Sequence, residues 1–122
     1  MLTPSINGRS EKDNAFMEKV HAVIEEHLDN PEFSIDDFAK EMNIGRTVFY
    51  KKIKGLTHYS PNEYIRIIRL KKATDLLKGS DLNIAEIAYG VGFNDPDYFS
   101  KCFKEQFGHT PRQFRTENIH ER

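Results

Sequence analysis

Arg46, Thr47, Tyr50, Lys51 and Lys54 fall close together in this chain. At helical spacing they share the face opposite Phe49 and Ile53. Some fifty residues later Asp97, Ser100, Lys101 and Lys104 share the face opposite Phe99 and Phe103. Arginine and lysine donate to guanine edges, and hydroxyl groups bond bases or phosphates. Asp97 has two readings: it accepts from a cytosine amino group, or it stabilises the start of its own helix. Ser60 and Thr110, each followed by proline, open helices whose N-termini can hold a backbone phosphate. The chemistry on offer is recognition of a polyanion carrying base edges, with no bond made or broken.

The charge distribution agrees. The net charge is -1, but residues 11–41 sum to -7 and residues 44–72 to +7. An approaching phosphate responds to the local field, so a basic stretch in a near-neutral chain attracts a polyanion. Taken alone, the stretch also fits a solvated helix face. The acidic first part opposes nucleic acid, so it is expected to face away from it or to meet another domain.

Elements that position these residues follow from spacing and caps. The first helix is expected from Glu11 to about Leu28, capped by Ser10, with Phe16, Val20, Val23, Ile24, His27 and Leu28 as its apolar stripe. Asn30-Pro31 ends it. Ser34 to Asp37 has the form of a capping box and opens a short second helix, with Ile35, Phe38, Ala39 and Met42 facing inward. A third is expected from Arg46 to Lys54, stopping at Gly55. The fourth starts at Ser60-Pro61 and ends at Gly79, a length of about 27 Å. Asn83 opens a fifth, Asp95-Pro96 a sixth that ends at Gly108, and Thr110-Pro111 a seventh. No segment alternates with the period of a strand. The fold class is all-α, with about seven helices.

One motif occurs twice. Ser34, Ile35, Ala39, Asn43 and Ile44 correspond to Asn83, Ile84, Ala88, Gly92 and Phe93. After one extra residue in the second turn, Gly45, Phe49, Lys51, Ile53, Lys54, Ser60 and Pro61 correspond to Asp95, Phe99, Lys101, Phe103, Lys104, Thr110 and Pro111. Each copy reads as a helix-turn-helix. Ala39 and Ala88 let two helices approach. Asn43 and Gly92 stand where a left-handed backbone is expected, and Phe49 and Phe99 lock the second helix down. The chain divides accordingly. Residues 1–10 read as a linker or expression remnant, and 11–59 as a first helix-turn-helix subdomain with its lead-in helix. Residues 60–79 are a connecting helix, and 80–122 a second helix-turn-helix subdomain. Two such recognition helices on one long connector are expected about 34 Å apart, one turn of B-DNA.

These residues resemble the DNA-binding domain of AraC-type transcription regulators. The match is most specific from Ile84-Ala85-Glu86-Ile87-Ala88 through Gly90-Val91-Gly92-Phe93, then Tyr98, Phe99, Ser100, Lys101, Phe103, Lys104, Phe107, Gly108, Thr110, Pro111, Phe114 and Arg115. Ile68 to Ala73 with Leu76-Leu77 resembles the family's connecting helix. Phe33-Ser34 and Tyr50-Lys51-Lys52-Ile53-Lys54 are most similar to the C-terminal module of hybrid two-component regulators. The resemblance implies sequence-specific binding of double-stranded DNA, with one recognition helix per copy in the major groove. It also implies transcription control in the cytoplasm, with RNA polymerase and upstream receiver or kinase domains as partners. Carried over by position, the base-reading residues are Arg46, Thr47, Tyr50, Lys51, Asp97, Tyr98, Ser100 and Lys101; Lys54, Ser60, Lys104 and Thr110 hold phosphate. His58 stands where the family has glycine, at a strain of about 1 kcal/mol if φ is positive. Gly45 replaces the usual serine cap at a cost of a few tenths of a kcal/mol.

Other classes find little footing. There is no phosphate loop and no metalloprotease motif, so no enzyme, metal or cofactor is expected. One cysteine, Cys102, excludes an internal disulfide, and no apolar run reaches the about 18 residues of a membrane span. Cys102 is expected to be buried or half-exposed rather than a redox switch. His21 and Glu25 read as a surface pair. The alternative to DNA binding is a helical interaction or phosphotransfer module with His27 as phosphoacceptor.

Overall fold

Seven helices follow the expected order in a computed structural model that describes residues 10–118: α1 (Glu11–Glu26), α2 (Ile35–Glu41), α3 (Arg46–Thr57), α4 (Pro61–Gly79), α5 (Ile84–Gly90), α6 (Pro96–Phe107) and α7 (Pro111–Asn118). Residues 1–9, most of the expected linker, lie outside the described residues. No strand occurs among the described residues. No described helix is long and apolar enough to cross a membrane.

The chain forms two compact units, and the division falls inside α4, between Ile65 and Arg66, rather than at the ends of the connecting helix. The first unit takes the chain up to His27 and Phe33–Ile65. Its core is Met17, Val20, Val23 and Ile24 of α1, Phe38 and Ala39 of α2, Met42, Phe49 and Ile53 of α3, and Ile65. The Phe38 and Phe49 rings meet at 4.6 Å. Met17, absent from the expected stripe, is buried, while Phe16 is half-buried with its ring 6.5 Å from Phe49.

The second unit takes Leu28–Glu32 and the chain from Arg66 onward. Leu70, Ala73, Leu77, Ile87, Ala88, Val91, Phe93, Phe99, Cys102 and Phe103 form its core. Arg115 of α7 donates to the carbonyls of Leu77 (3.1 Å) and Ser80 (3.2 Å), closing the open C-terminal end of α4.

Both copies turn alike. The Ile44 N–H donates to the Ala39 carbonyl (3.2 Å), as Phe93 does to Ala88 (2.9 Å). Asn43 and Gly92 take positive φ, 59° and 92°. The alanines are buried where the helices cross. Asp37 completes the Ser34 capping box and Glu86 that of Asn83. The capping hydrogen bonds to Ser34 hold the Asp37 carboxyl below its ordinary 3.8.

Two helix ends differ from expectation. α1 stops at Glu26, because Leu28–Glu32 leaves it to join the second unit, where Asn30 closes a turn on the Glu32 N–H (2.9 Å). α3 runs through Gly55 to Thr57, so Gly55 is not its stop. The left-handed residue that ends α3 is His58, at φ 69°, whose N–H bonds the Lys54 carbonyl (2.9 Å). A glycine near a helix end signals a stop only if it takes the left-handed position, and here that position lies three residues later.

Candidate nucleic-acid interface

Helix α3 stands on Phe49 and Ile53, both buried, and turns its other side outward. Arg46, Thr47, Tyr50 and Lys51 line one shallow surface depression there. The Arg46 side chain, 67% exposed, pairs with Asp36 at 3.3 Å. Both groups are exposed, so the pair contributes no more than about 1 kcal/mol and breaks readily for a phosphate or base. Lys51 and Lys54 are exposed and form no ion pair among the described residues. Lys52 lies over the Phe16 ring at 4.5 Å and serves the packing of α1. With Gly45 at the cap, no side chain bonds the first turn of α3. Val48, 58% exposed on the flank of this face, is a surface feature the sequence reading missed. A β-branched residue in a helix away from any core was the available signal.

Helix α6 stands on Phe99 and Phe103 in the same way, but its outward side is less uniform. Asp97, Lys101 and Lys104 are exposed. The Asp95 side chain caps the helix through the Asp97 N–H (2.9 Å). Tyr98 is partly engaged: its ring lies 6.0 Å from Phe93, and its hydroxyl sits beside Cys102 and Arg66. The Cys102 contact raises the phenol's pKa, with burial adding to it and Arg66 opposing. Cys102 itself is buried. Ser100 is half-buried and lines a separate depression with Ile84, Thr110, Pro111 and Arg112. It therefore does not join the depression-forming pattern of Arg46, Thr47, Tyr50 and Lys51.

The two helix starts expected to hold phosphate are both capped from within. Ser60 and Glu63 exchange hydrogen bonds (2.9 and 3.2 Å), as do Thr110 and Gln113 (2.9 and 3.1 Å). At Ser60 the capping group is a carboxylate, which already answers the positive end of α4. At Thr110 it is a neutral amide.

His27 does not have the setting of a phosphoacceptor. Its ring stacks on Phe33 at 4.0 Å, and its Nε2 is buried against the Glu41 carboxylate, which leaves that nitrogen no approach for a phosphoryl donor. His21 bonds the Tyr64 hydroxyl at 2.7 Å, tying α1 to the start of α4.

A helix-turn-helix domain family profile matches residues 38–117, which contain both turns and both outward-facing helices. The chain belongs to the AraC-type helix-turn-helix family. This AraC-type domain is 40% identical over 114 residues, 93% of its length, to histidine kinase P4 of Formosa agariphila, and it spans 8% of that kinase. Among solved structures it is similar to the C-terminal domain of AraT, a response regulator from Geobacillus stearothermophilus. The TM-score is 0.78 at 28% identity, covering 85% of this chain and 86% of that one. It is similar also to the DNA-binding domain of the global transcriptional factor AdpA, solved in complex with a target DNA. There the TM-score is 0.79 at 27% identity, covering 87% and 95%.

Proposed function

We propose that this AraC-type domain binds double-stranded DNA sequence-specifically as the output module of a two-component signalling protein, with α3 and α6 in successive major grooves. The observation that carries the reading is the outward face of α3, where Arg46, Thr47, Tyr50 and Lys51 share one exposed depression beside Lys54. An α-helix fits the major groove of B-DNA, and these are the donor types that read base edges there. Arg46 and Lys51 donate to guanine, and Thr47 and Tyr50 bond bases or sugar-phosphate. On α6, Lys101 donates to a base, Ser100 bonds sugar-phosphate, Asp97 accepts from a cytosine amino group, and Tyr98, about half exposed, offers its ring. Lys54 and Lys104 grip phosphate. Ser60 and Thr110, whose side chains are taken up in caps, act by fixing where α4 and α7 begin.

The charge of the two helices is unequal. α3 carries Arg46, Lys51, Lys52 and Lys54 and no acid, whereas in α6 Lys101 and Lys104 are balanced by Asp97 and Glu105. The first copy therefore supplies most of the electrostatic attraction. Support for the two-component role is the likeness to a histidine kinase and to the C-terminal domain of a response regulator.

Selection of bound sequences from a random duplex library, with affinity measured across salt, tests the reading. Two conserved blocks about one helical turn apart are expected. One block alone would overturn the two-groove arrangement, and no salt-dependent binding would overturn DNA recognition. For the signalling role, a phosphodonor applied to the complete natural polypeptide is expected to change its operator affinity. An unchanged affinity would remove the two-component assignment.

A further inference from the structure

We propose that the depression lined by Ile84, Ser100, Thr110, Pro111 and Arg112 receives a DNA backbone phosphate, held by the Arg112 guanidinium and the Ser100 hydroxyl. The proposal rests on the DNA-binding reading and adds to it a contact that carries no base information.

The two copies differ in charge on their outward-facing helices. Helix α6 carries no net charge, its two lysines being balanced by Asp97 and Glu105, so the second helix-turn-helix lacks the net positive charge with which α3 meets a polyanion. The next helix makes up the difference. Where the first copy has Asn62 and Glu63 after its Ser-Pro start, the second has Arg112 and Gln113 after Thr-Pro. A carboxylate is replaced by an amide and an amide by a guanidinium, so the same place in the fold changes from repelling an anion to attracting one. The depression opens at that place.

Its polar groups are available. Arg112 is exposed and has no hydrogen-bond or ion-pair partner among the described residues. Arg115, one turn further along α7, shows the contrast: its guanidinium is spent on the carbonyls of Leu76, Leu77 and Ser80. The Ser100 hydroxyl likewise has no partner among the described residues, although the side chain is half-buried. The corresponding residue in the first copy is Tyr50, too large for such a notch, and it lines the α3 depression instead. A free fork of donors next to a free hydroxyl, floored by Ile84 and Pro111, suits a phosphate better than a flat base edge.

The test compares the 122-residue chain with Arg112→Gln, Arg112→Lys and Ser100→Ala, measuring affinity for a library-selected duplex and a scrambled duplex at several salt concentrations. Arg112→Gln is expected to weaken both duplexes by the same factor, about fivefold at low salt, and to reduce the salt slope by about 0.9, the share of one phosphate. Arg112→Lys is expected to keep the slope, and Ser100→Ala to weaken both duplexes about twofold without changing it. All three are expected to unfold at the wild-type temperature. An unchanged slope in Arg112→Gln, or a loss confined to one base pair of the selected site, overturns the phosphate assignment while leaving DNA recognition standing. A wild-type chain that binds neither duplex overturns both.

Discussion

Replacing Gly92 with alanine perturbs one atom at the turn of the second helix-turn-helix. Gly92 has φ +92°, and a Cβ there would lie 2.3 Å from the Leu28 carbonyl oxygen and 2.6 Å from Arg69 Cζ. The backbone alone costs an L-residue about 1–2 kcal/mol. The contacts cost more, because neither neighbour is free to give way. Arg69 is the strap of this unit: its guanidinium donates to the Gly92 carbonyl (2.9 Å) and to the Asn30 carbonyl (2.8 Å). Burial lowers its pKa, with Asp29 opposing. Moving Arg69 breaks these bonds, each worth about 1.5–3 kcal/mol as a hydrogen bond to a charged group and less where solvent reaches it. Moving Leu28 displaces the whole Leu28–Glu32 segment. A total of about 3–5 kcal/mol is expected, and at about 4–8 °C per kcal/mol the melting temperature falls by more than about 12 °C. Gly108→Ala is the matched comparison. It has φ +84°, but nothing lies within 4 Å of its Cβ, so only the backbone term of about 1–2 kcal/mol applies. Urea unfolding of both variants, followed by circular dichroism, separates the two terms through their midpoints. Equal shifts in the two variants would refute the steric part of the reasoning. Arg69→Ala combined with Gly92→Ala is expected to be less damaging than the sum of the singles, since removing the guanidinium relieves one of the clashes.

Three further outcomes are expected. Lys51→Ala relaxes preference at one base pair by about 1–3 kcal/mol in a binding-site selection, whereas Lys54→Ala and Lys104→Ala weaken all duplexes alike and flatten the salt slope. His58→Gly raises the urea midpoint by the equivalent of about 0.5–1 kcal/mol, because it relieves a left-handed non-glycine residue at φ 69°; a lowered midpoint would show that the imidazole contributes more than its backbone costs. Because the folded-state pKa of Asp37 is depressed, its cap adds stability above the ordinary 3.8 and loses it as pH falls through the folded value. Asp37→Ala is therefore expected to be less stable than wild type at pH 6 and to lose less on acidification, as seen in thermal unfolding measured from pH 6 to 2.

Much of this could be read from residues alone because the chain states its plan twice. The correspondence of Ala39 with Ala88 and Asn43 with Gly92 predicted two crossings and two left-handed turns, and both are present. The caps at Ser34, Asn83 and Asp95 are local, so their residue types sufficed. What escaped the sequence reading is long-range. Gly55 looked like a stop because local preference cannot tell a helical glycine from a left-handed one. Arg69 reads as one more cation of the basic stretch, and only the chain path shows it spanning 39 residues in sequence to reach Asn30. Ser100 shares a helical face with Lys101 on paper, yet α7 covers that flank and gives it different neighbours. Arg112 carried no motif, and its interest arises only beside Ser100 and in comparison with Asn62.

The segment Leu28–Glu32 lies in sequence among the elements of the first unit but packs in the second, where the strap from Arg69 grips it. The second unit is therefore built from two separate stretches of the chain. A recombination breakpoint within α4, ahead of Arg66, would leave a second copy without its Leu28–Glu32 segment, and Arg69 would keep the Gly92 carbonyl but lose that of Asn30. A breakpoint ahead of α1 would carry everything the second copy needs. The duplicated motif is thus expected to be passed on whole rather than by halves, since the second copy folds around a segment that precedes α2 in sequence.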